Sequence, residues 1–425
     1  MGRDRCRADA VTREGVEGRL VTSSQRVSAG WAPVARGLFL VAMALFVITV
    51  AIGIVNGLDL YEFDHNQLLT HVHSGTLGWI TLSLVAAAFW LVRRSDRRLA
   101  IALAILVPIY VAAFYSGNFT ARAVSGTLLL VVILWLVGWA WVALTREPTI
   151  PLLAVTLGLT SFAYGAVIGV LLQIQSASGT SLFPGGSDAI GAHAGTMVFS
   201  YLILVAMGLL EWRVIGLRRH SRGGMAQVFA LFGGGLLLAL TLLFLDASAV
   251  QAVGGIYLLV ELLAVGLFIG RVLPSAVRIG WRVATPERHL ATSALFVVVA
   301  TAIFLYVVFL FISTGDQSKI PAGVLVASDH AAFIGVITNL IFGLALRLAA
   351  DRRSRWAWAD QVVYWAMNGG LVVFLVGLIA VSPELKRIGA PIMGTAILLG
   401  LVVIAGRLWS SDLSTADEID TIAKA

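Results

Sequence analysis

The chain has 425 residues, a net charge of +7 and a mean hydropathy of +0.92; 59% of it is hydrophobic and only 12% charged. A water-soluble fold cannot hide that much apolar surface, so the main solvent of this chain is lipid. A basic balance otherwise points to nucleic acid, but here the cations stand in short clusters between apolar runs, which makes them a topology signal instead.

In chain order, residues 1–30 are polar and carry Arg3, Arg5, Arg7, Arg13, Arg19 and Arg26, and are expected to form a disordered cytoplasmic tail. Its Cys6 is the only cysteine, which excludes disulfides and Cys-x-x-Cys-His haem attachment. The tail stands too far ahead of the first apolar run, itself a full span, to read as a signal peptide. Residues 31–409 form one membrane domain, and 410–425 a short acidic cytoplasmic tail.

Twelve apolar runs long enough to cross a bilayer fall at about 34–56, 70–92, 99–116, 122–144, 151–173, 189–212, 225–245, 250–272, 290–313, 326–349, 359–381 and 387–408. Backbone polarity must be satisfied within each span, so all are helices. Arginine clusters follow the even spans, as in Arg93, Arg94, Arg97 and Arg98, or Arg213, Arg218, Arg219 and Arg222. The alternate loops are acidic or neutral, as in Asp59 to Asp64. This positive-inside pattern puts both termini in the cytoplasm; the expected location is a bacterial cytoplasmic (inner) membrane.

Three of the spans open on related phrases: His73-Ser-Gly-Thr-Leu-Gly-Trp-Ile-Thr, His193-Ala-Gly-Thr-Met-Val-Phe-Ser-Tyr and the looser His330-Ala-Ala-Phe-Ile-Gly-Val-Ile-Thr. His193 stands 120 residues after His73, and His330 stands 137 after His193. The phrases fall in spans 2, 6 and 10, which resolves the all-α polytopic fold into three units of four helices about a pseudo-threefold axis.

Imidazole is a common ligand for haem iron, copper and zinc, and an ionisable group inside a span is read as functional. Gly75, Gly195 and Ala332 follow the three histidines by two residues, and small residues there allow close approach of a flat macrocycle or of a helix. His71 and His73 are separated by about 200° of helix turn, so they cannot serve one centre. His73 matches the repeat, and His71 is assigned to the mouth or to a supporting role. Thr70, Ser187, Asp188, Ser328 and Asp329 precede the spans, either to orient imidazoles or to cap helices. Glu261, in the middle of span 8, lines a proton or water path or bonds a neighbouring helix. His220 and His289 fall in basic inner loops and are expected to be solvated.

These residues resemble the haem-copper oxidase superfamily, the catalytic subunit I of terminal oxidases and nitric oxide reductases. The resemblance implies twelve helices in three arcs, with His73 and His330 as axial ligands of a low-spin haem b and His193 as a ligand of copper or another metal. It also implies that Lys386 and Arg387, in the loop between spans 11 and 12, face haem propionates. Three departures stand against a complete oxidase site. Span 7 has no His-His pair, no tyrosine stands four residues after His193, and His330 is flanked at the His-x-His spacing by Ser328 and Ala332. The expectation is therefore a membrane haem protein acting in electron transfer or in nitric oxide or oxygen chemistry, with an electron-donor protein or partner subunits. Alternatives are a metal or haem protein of nitric oxide tolerance like the NnrS family, and a transporter or channel with pathway histidines. For the last, Gly233-Gly-Gly and Asn368-Gly-Gly are candidate helix breaks.

Overall fold

A computed structural model describes residues 30–218, 220–245, 247–279, 281, 284–314, 319–352 and 356–411. Twelve of its helices are long and apolar enough to cross a membrane. They are α1 (Trp31–Gly57), α2 (His65–Val92), α3 (Arg97–Tyr115), α4 (Phe119–Arg146), α5 (Ile150–Ser178), α6 (Ala189–Val214), α7 (Arg222–Phe244), α8 (Ala247–Ala276), α9 (Pro286–Thr314), α10 (Ala322–Leu348), α11 (Ala357–Ile379) and α12 (Pro383–Ser410). The expected spans and these helices agree one for one. The expected tails, with Cys6, lie almost wholly outside the described residues.

Local sequence sets the ends of these helices. Asp64 opens α2 with a reciprocal capping box to Gln67, and Asp96, Asn118, Asp188 and Ser221 cap α3, α4, α6 and α7 through their side chains. Each cap is worth about 1 kcal/mol. At the C-terminus of α5, Gly179 takes the left-handed conformation (φ +70°) that lets the helix stop. Both candidate breaks are absent, because α7 and α11 run continuously through these glycines. Those glycines serve packing: a Cβ at Gly235 would collide with Ser200, and one at Gly370 with the Met393 backbone.

The apolar windows of α2 and α10 are 94% and 83% buried, against 33% for α4, α8 and α9, so α2 and α10 lie inside and the latter three present their side chains outward. In α6 the figure is 67%. The three histidine-bearing helices α2, α6 and α10 share one further feature. Each widens into an eight-residue π-helical stretch at the same place: Ser74–Thr81, Thr196–Ile203 and Ala331–Thr338. Such stretches are rare, and they concentrate at functional sites.

Aligning the three stretches on their first residues puts Trp79, Tyr201 and Val336 at one position and Thr81, Ile203 and Thr338 two residues later. The Tyr201 hydroxyl donates to Thr81 Oγ1 (2.9 Å), and Trp79 Nε1 donates to Thr338 Oγ1 (3.0 Å). The third combination, Val336 with Ile203, is apolar, and the two stretches that carry it pack against each other. Within their own helices, Thr81 and Thr338 each donate to the carbonyl five residues back, Thr76 and Phe333, which the widened turn makes available. The same two positions thus tie α6 to α2 and α2 to α10 by hydrogen bonds, and are apolar where the α10 and α6 stretches pack together.

Candidate cofactor-binding cavities

Two cavities flank α2. The first, of about 330 Å³, lies among α1, α2, α10, α11 and α12 and is walled by His71, His330, Phe46, Trp79, Phe374 and Met393, among others. The second, of about 300 Å³, lies among α2 to α6 and α10 and is walled by His73, His193, Tyr110, Phe162, Met197 and Tyr201, among others. Both have the size and the largely apolar lining of small-molecule pockets. Val72, Thr76, Asp329 and Phe333 belong to both walls, so the cavities are neighbours.

Each of the four imidazoles is fixed in the same manner. His71 Nδ1 bonds to the Thr49 carbonyl (2.9 Å), His73 Nδ1 to Leu69 (2.8 Å), His193 Nδ1 to Gly165 (2.8 Å) and His330 Nδ1 to Val326 (2.8 Å). A carbonyl oxygen only accepts, so Nδ1 carries the proton and Nε2 keeps its lone pair. That is the state in which a histidine binds a metal, with its outer nitrogen held by a backbone acceptor.

The helix packed against the imidazole also makes room for it. Thr49 and Gly53, one turn apart on α1, receive His71: the Thr49 carbonyl accepts, and a Cβ at Gly53 would stand 3.2 Å from the ring. Gly165 and Gly169 on α5 receive His193 in the same way, with a Cβ at Gly169 meeting the ring at 2.7 Å. His73 and His330 instead bond to their own helices four residues back. The His73 ring stacks on Phe114 (centroids 3.8 Å apart, 15° between planes), and the His330 ring meets Phe374 edge-on at 5.0 Å.

This arrangement revises the expected grouping. His73 and His330 do not wall a common cavity: His330 shares one with His71, and His73 shares the other with His193. The reason is the register of the π-helical stretches. Three residues ahead of each stretch stand His71, His193 and Ser328, and one residue ahead stand His73, Gly195 and His330. The repeated phrase aligns His73 with His193, whereas the backbone aligns His71 with His193. The large angle between His71 and His73 on α2 separates them, as expected, but each then faces a cavity. His71 lines the first cavity.

Near the ends where α2, α6 and α10 begin, cations stand one to two helical turns from wall residues of both cavities. On α12, Lys386 precedes the wall residues Ala390 and Met393 by four and seven positions, and Arg387 precedes Gly394 by seven, which puts both cations on the cavity side. Both bond Asp59 (Lys386 Nζ to Oδ1 2.6 Å; Arg387 Nε to Oδ2 3.1 Å), leaving the trio with one net positive charge. The Lys386 hydrogen bond, with a smaller contribution from Arg387, holds the Asp59 carboxyl below the usual carboxylate range.

On α4, Arg122 precedes the wall residues Gly126 and Leu129 by four and seven positions. It is 1% exposed and donates to Asn66 Oδ1 (2.5 Å) and to the carbonyls of Ala113 and Phe114. Its guanidinium lies 4.6 Å from the Phe114 ring centroid. Among the described residues no carboxylate forms an ion pair with it.

The other expected residues are distributed as follows. Gly75 walls the first cavity, whereas Gly195 packs against Leu238, which a Cβ there would meet at 2.8 Å. Asp188 is a helix cap to Gly191, and Thr70 donates to the Asn66 carbonyl within α2. Asp329 is not a cap, since α10 begins at Ala322; it is exposed and lines both cavities. Glu261 is buried in α8 beside Tyr257, in a group with Tyr164, Ser161, Thr196 and Ser200 that walls neither cavity. His289 is not solvated: it is 4% exposed within α9 and donates from Nδ1 to Asn339 Oδ1 (3.0 Å). His220 is exposed, as expected.

The residues that sequence reasoning missed are Arg122, Thr49, Gly53, Gly165 and Gly169. Arg122 carried a legible signal, as an arginine at the end of a span that faces away from the arginine clusters. The carbonyl acceptors carried none, because any residue supplies one. No protein-family model matches the chain, and no curated protein is significantly similar to it in sequence.

Proposed function

We propose that the chain is an integral membrane haem protein that carries electrons, with one haem b held between His71 and His330. The observation that carries this reading is the pair of imidazoles facing one apolar cavity, each with Nδ1 committed to a carbonyl and Nε2 free to ligate. The cavity fits the group in three further respects. Its wall is apolar and aromatic, Gly53 and Gly75 line it near His71, and Lys386 and Arg387, paired with Asp59, stand one to two turns ahead of its wall residues on α12, where they could meet carboxylates. Haem iron supplies one-electron redox chemistry.

The chain's own residues supply the rest. Thr49 and Val326 hold the rings in the ligating tautomer, Phe46, Trp79 and Phe374 keep water from the cavity, and the α12 cations neutralise acidic groups at its mouth. A haem held by His71 and His330 would supply one-electron chemistry, which favours electron transfer over nitric oxide or oxygen turnover. Among the described residues no three His, Cys, Asp or Glu side chains gather. Tetrahedral zinc and the common copper sites take three or four ligands, so the donor set suits haem better than a metal held by His193 alone.

The resemblance to the haem-copper oxidase fold enters as the reading of three related units, α1–α4, α5–α8 and α9–α12. The repeated register of the π-helical stretches and their cyclic tie support it. The arginine-rich ends are then cytoplasmic, and the imidazoles lie toward the outer surface of a bacterial cytoplasmic membrane, with an electron-donor protein or partner subunit on that side. The test is an absorption spectrum of protein purified from haem-replete cells. A Soret band that sharpens and shifts on reduction, lost from the first cavity in His71→Ala, is expected. Colourless wild-type protein overturns the reading.

A further inference from the structure

We infer that the cavity between His73 and His193 is a second haem site, equivalent to the first by rotation of one unit onto the next, so that the protein holds two haems side by side. The inference rests on the haem reading of the first cavity and extends it to residues that the resemblance assigns elsewhere or not at all. Its basis is that the two cavities are built from the same backbone positions. The first takes the residue three ahead of the π-helical stretch of α2 (His71) and the residue one ahead of that of α10 (His330). The second takes the residue three ahead in α6 (His193) and the residue one ahead in α2 (His73). Each pair therefore joins one histidine that bonds the carbonyl of a neighbouring helix with one that bonds its own helix.

The surroundings repeat as well. A glycine four residues after the accepting position makes room for the ring in both, Gly53 beside His71 and Gly169 beside His193. The volumes are about 330 and 300 Å³. The last helix of the unit that supplies the own-helix histidine begins with cations on the cavity side, Lys386 and Arg387 on α12 and Arg122 on α4. Arg122 is 1% exposed, hydrogen-bonded to Asn66 and to the Ala113 and Phe114 carbonyls, and stands one turn ahead of the wall residue Gly126 with no ion-pair partner among the described residues. A carboxylate on a bound group would give it one. The third combination by the same rule is Ser328 with Gly195, where no imidazole exists and Leu238 lies against Gly195.

The test is the haem-to-protein ratio of the purified full chain, by pyridine haemochrome and quantitative amino-acid analysis. A ratio of two is expected for the wild type, falling to one in His73→Ala and in His193→Ala. The haem retained in those variants, lost only on adding His330→Ala, is the internal check that the fold survives. Low-spin resonance signals of two bis-imidazole centres are expected in the wild type, and one in each single variant. A wild-type ratio of one that His73→Ala and His193→Ala leave unchanged overturns the second site while the first stands. A ratio of zero removes both.

Discussion

The two imidazole-walled cavities and the remaining contact between α6 and α10 use the same backbone positions and differ in what stands there. Beside α2, those positions hold His71 with His330 and His73 with His193, and room remains for a ligand. Between α6 and α10 they hold Gly195 and Ser328, Leu238 lies against Gly195, and Phe199 packs on Phe304 with centroids 4.3 Å apart. Even the hydrogen-bonded tie follows the division: Tyr201–Thr81 and Trp79–Thr338 are polar, and Val336 with Ile203 is not. One architectural theme repeated three times therefore carries an imidazole pair twice. Position relative to the widened turn, and not the repeated phrase, decides where it falls.

The strongest way to break this comparison is to remove ligands in pairs. His71→Ala and His330→Ala should each empty the first cavity and leave the second loaded, read as a halved haem content. The next strongest is the buried cation. Arg122→Gln should weaken haem retention in the second cavity alone, seen as preferential loss of one of two haems during gel filtration, whereas an equal loss of both would contradict the division.

Asp329 lies between the cavities and walls both. Replacing it with Asn removes a carboxylate from beside both centres, so both midpoint potentials should rise together; a shift of only one would place Asp329 on one side. Gly169→Ala puts a methyl group 2.7 Å from the His193 ring and should perturb the spectrum of the second haem only. Tyr201→Phe deletes one bond of the tie and should lower stability by about 1 kcal/mol, read as a modest drop in thermal midpoint.

The smallest effect concerns pH. The Asp59 carboxyl titrates below its ordinary range because Lys386 and Arg387 favour its charged form. Its contribution to stability is therefore fully present above the unfolded-state value of about 3.9 and is lost only as pH falls through the lower folded-state value. Between pH 5 and 8, Asp59→Asn should leave the pH dependence of haem retention unchanged, so any new dependence there would implicate a different group.

Much of the architecture was legible in the chain, because lipid demands long apolar helices and the arginines mark one side. Each of the twelve expected spans falls on a helix, with ends that differ by a few residues because caps such as Asp64 and Ser382 lie in polar sequence ahead of the apolar run. The candidate ligands were legible as residue types at a common depth. Their pairing was not. A phrase match aligned His73 with His193, and nothing in the composition of α2 announces the wide turn that begins at Ser74. His289 was misread as solvated because arginines surround it, while its partner Asn339 lies 50 residues away. Contacts of that kind, like the Thr49 and Gly165 carbonyls, depend on helix packing rather than on side-chain identity.

The most direct test of the central claim compares two double variants that share one substitution. His71→Ala/His330→Ala removes both ligands of one cavity, and His73→Ala/His330→Ala removes one ligand from each. The haem-to-protein ratio should be one for the first and zero for the second. Equal ratios in the two proteins would contradict the pairing of His71 with His330 and of His73 with His193.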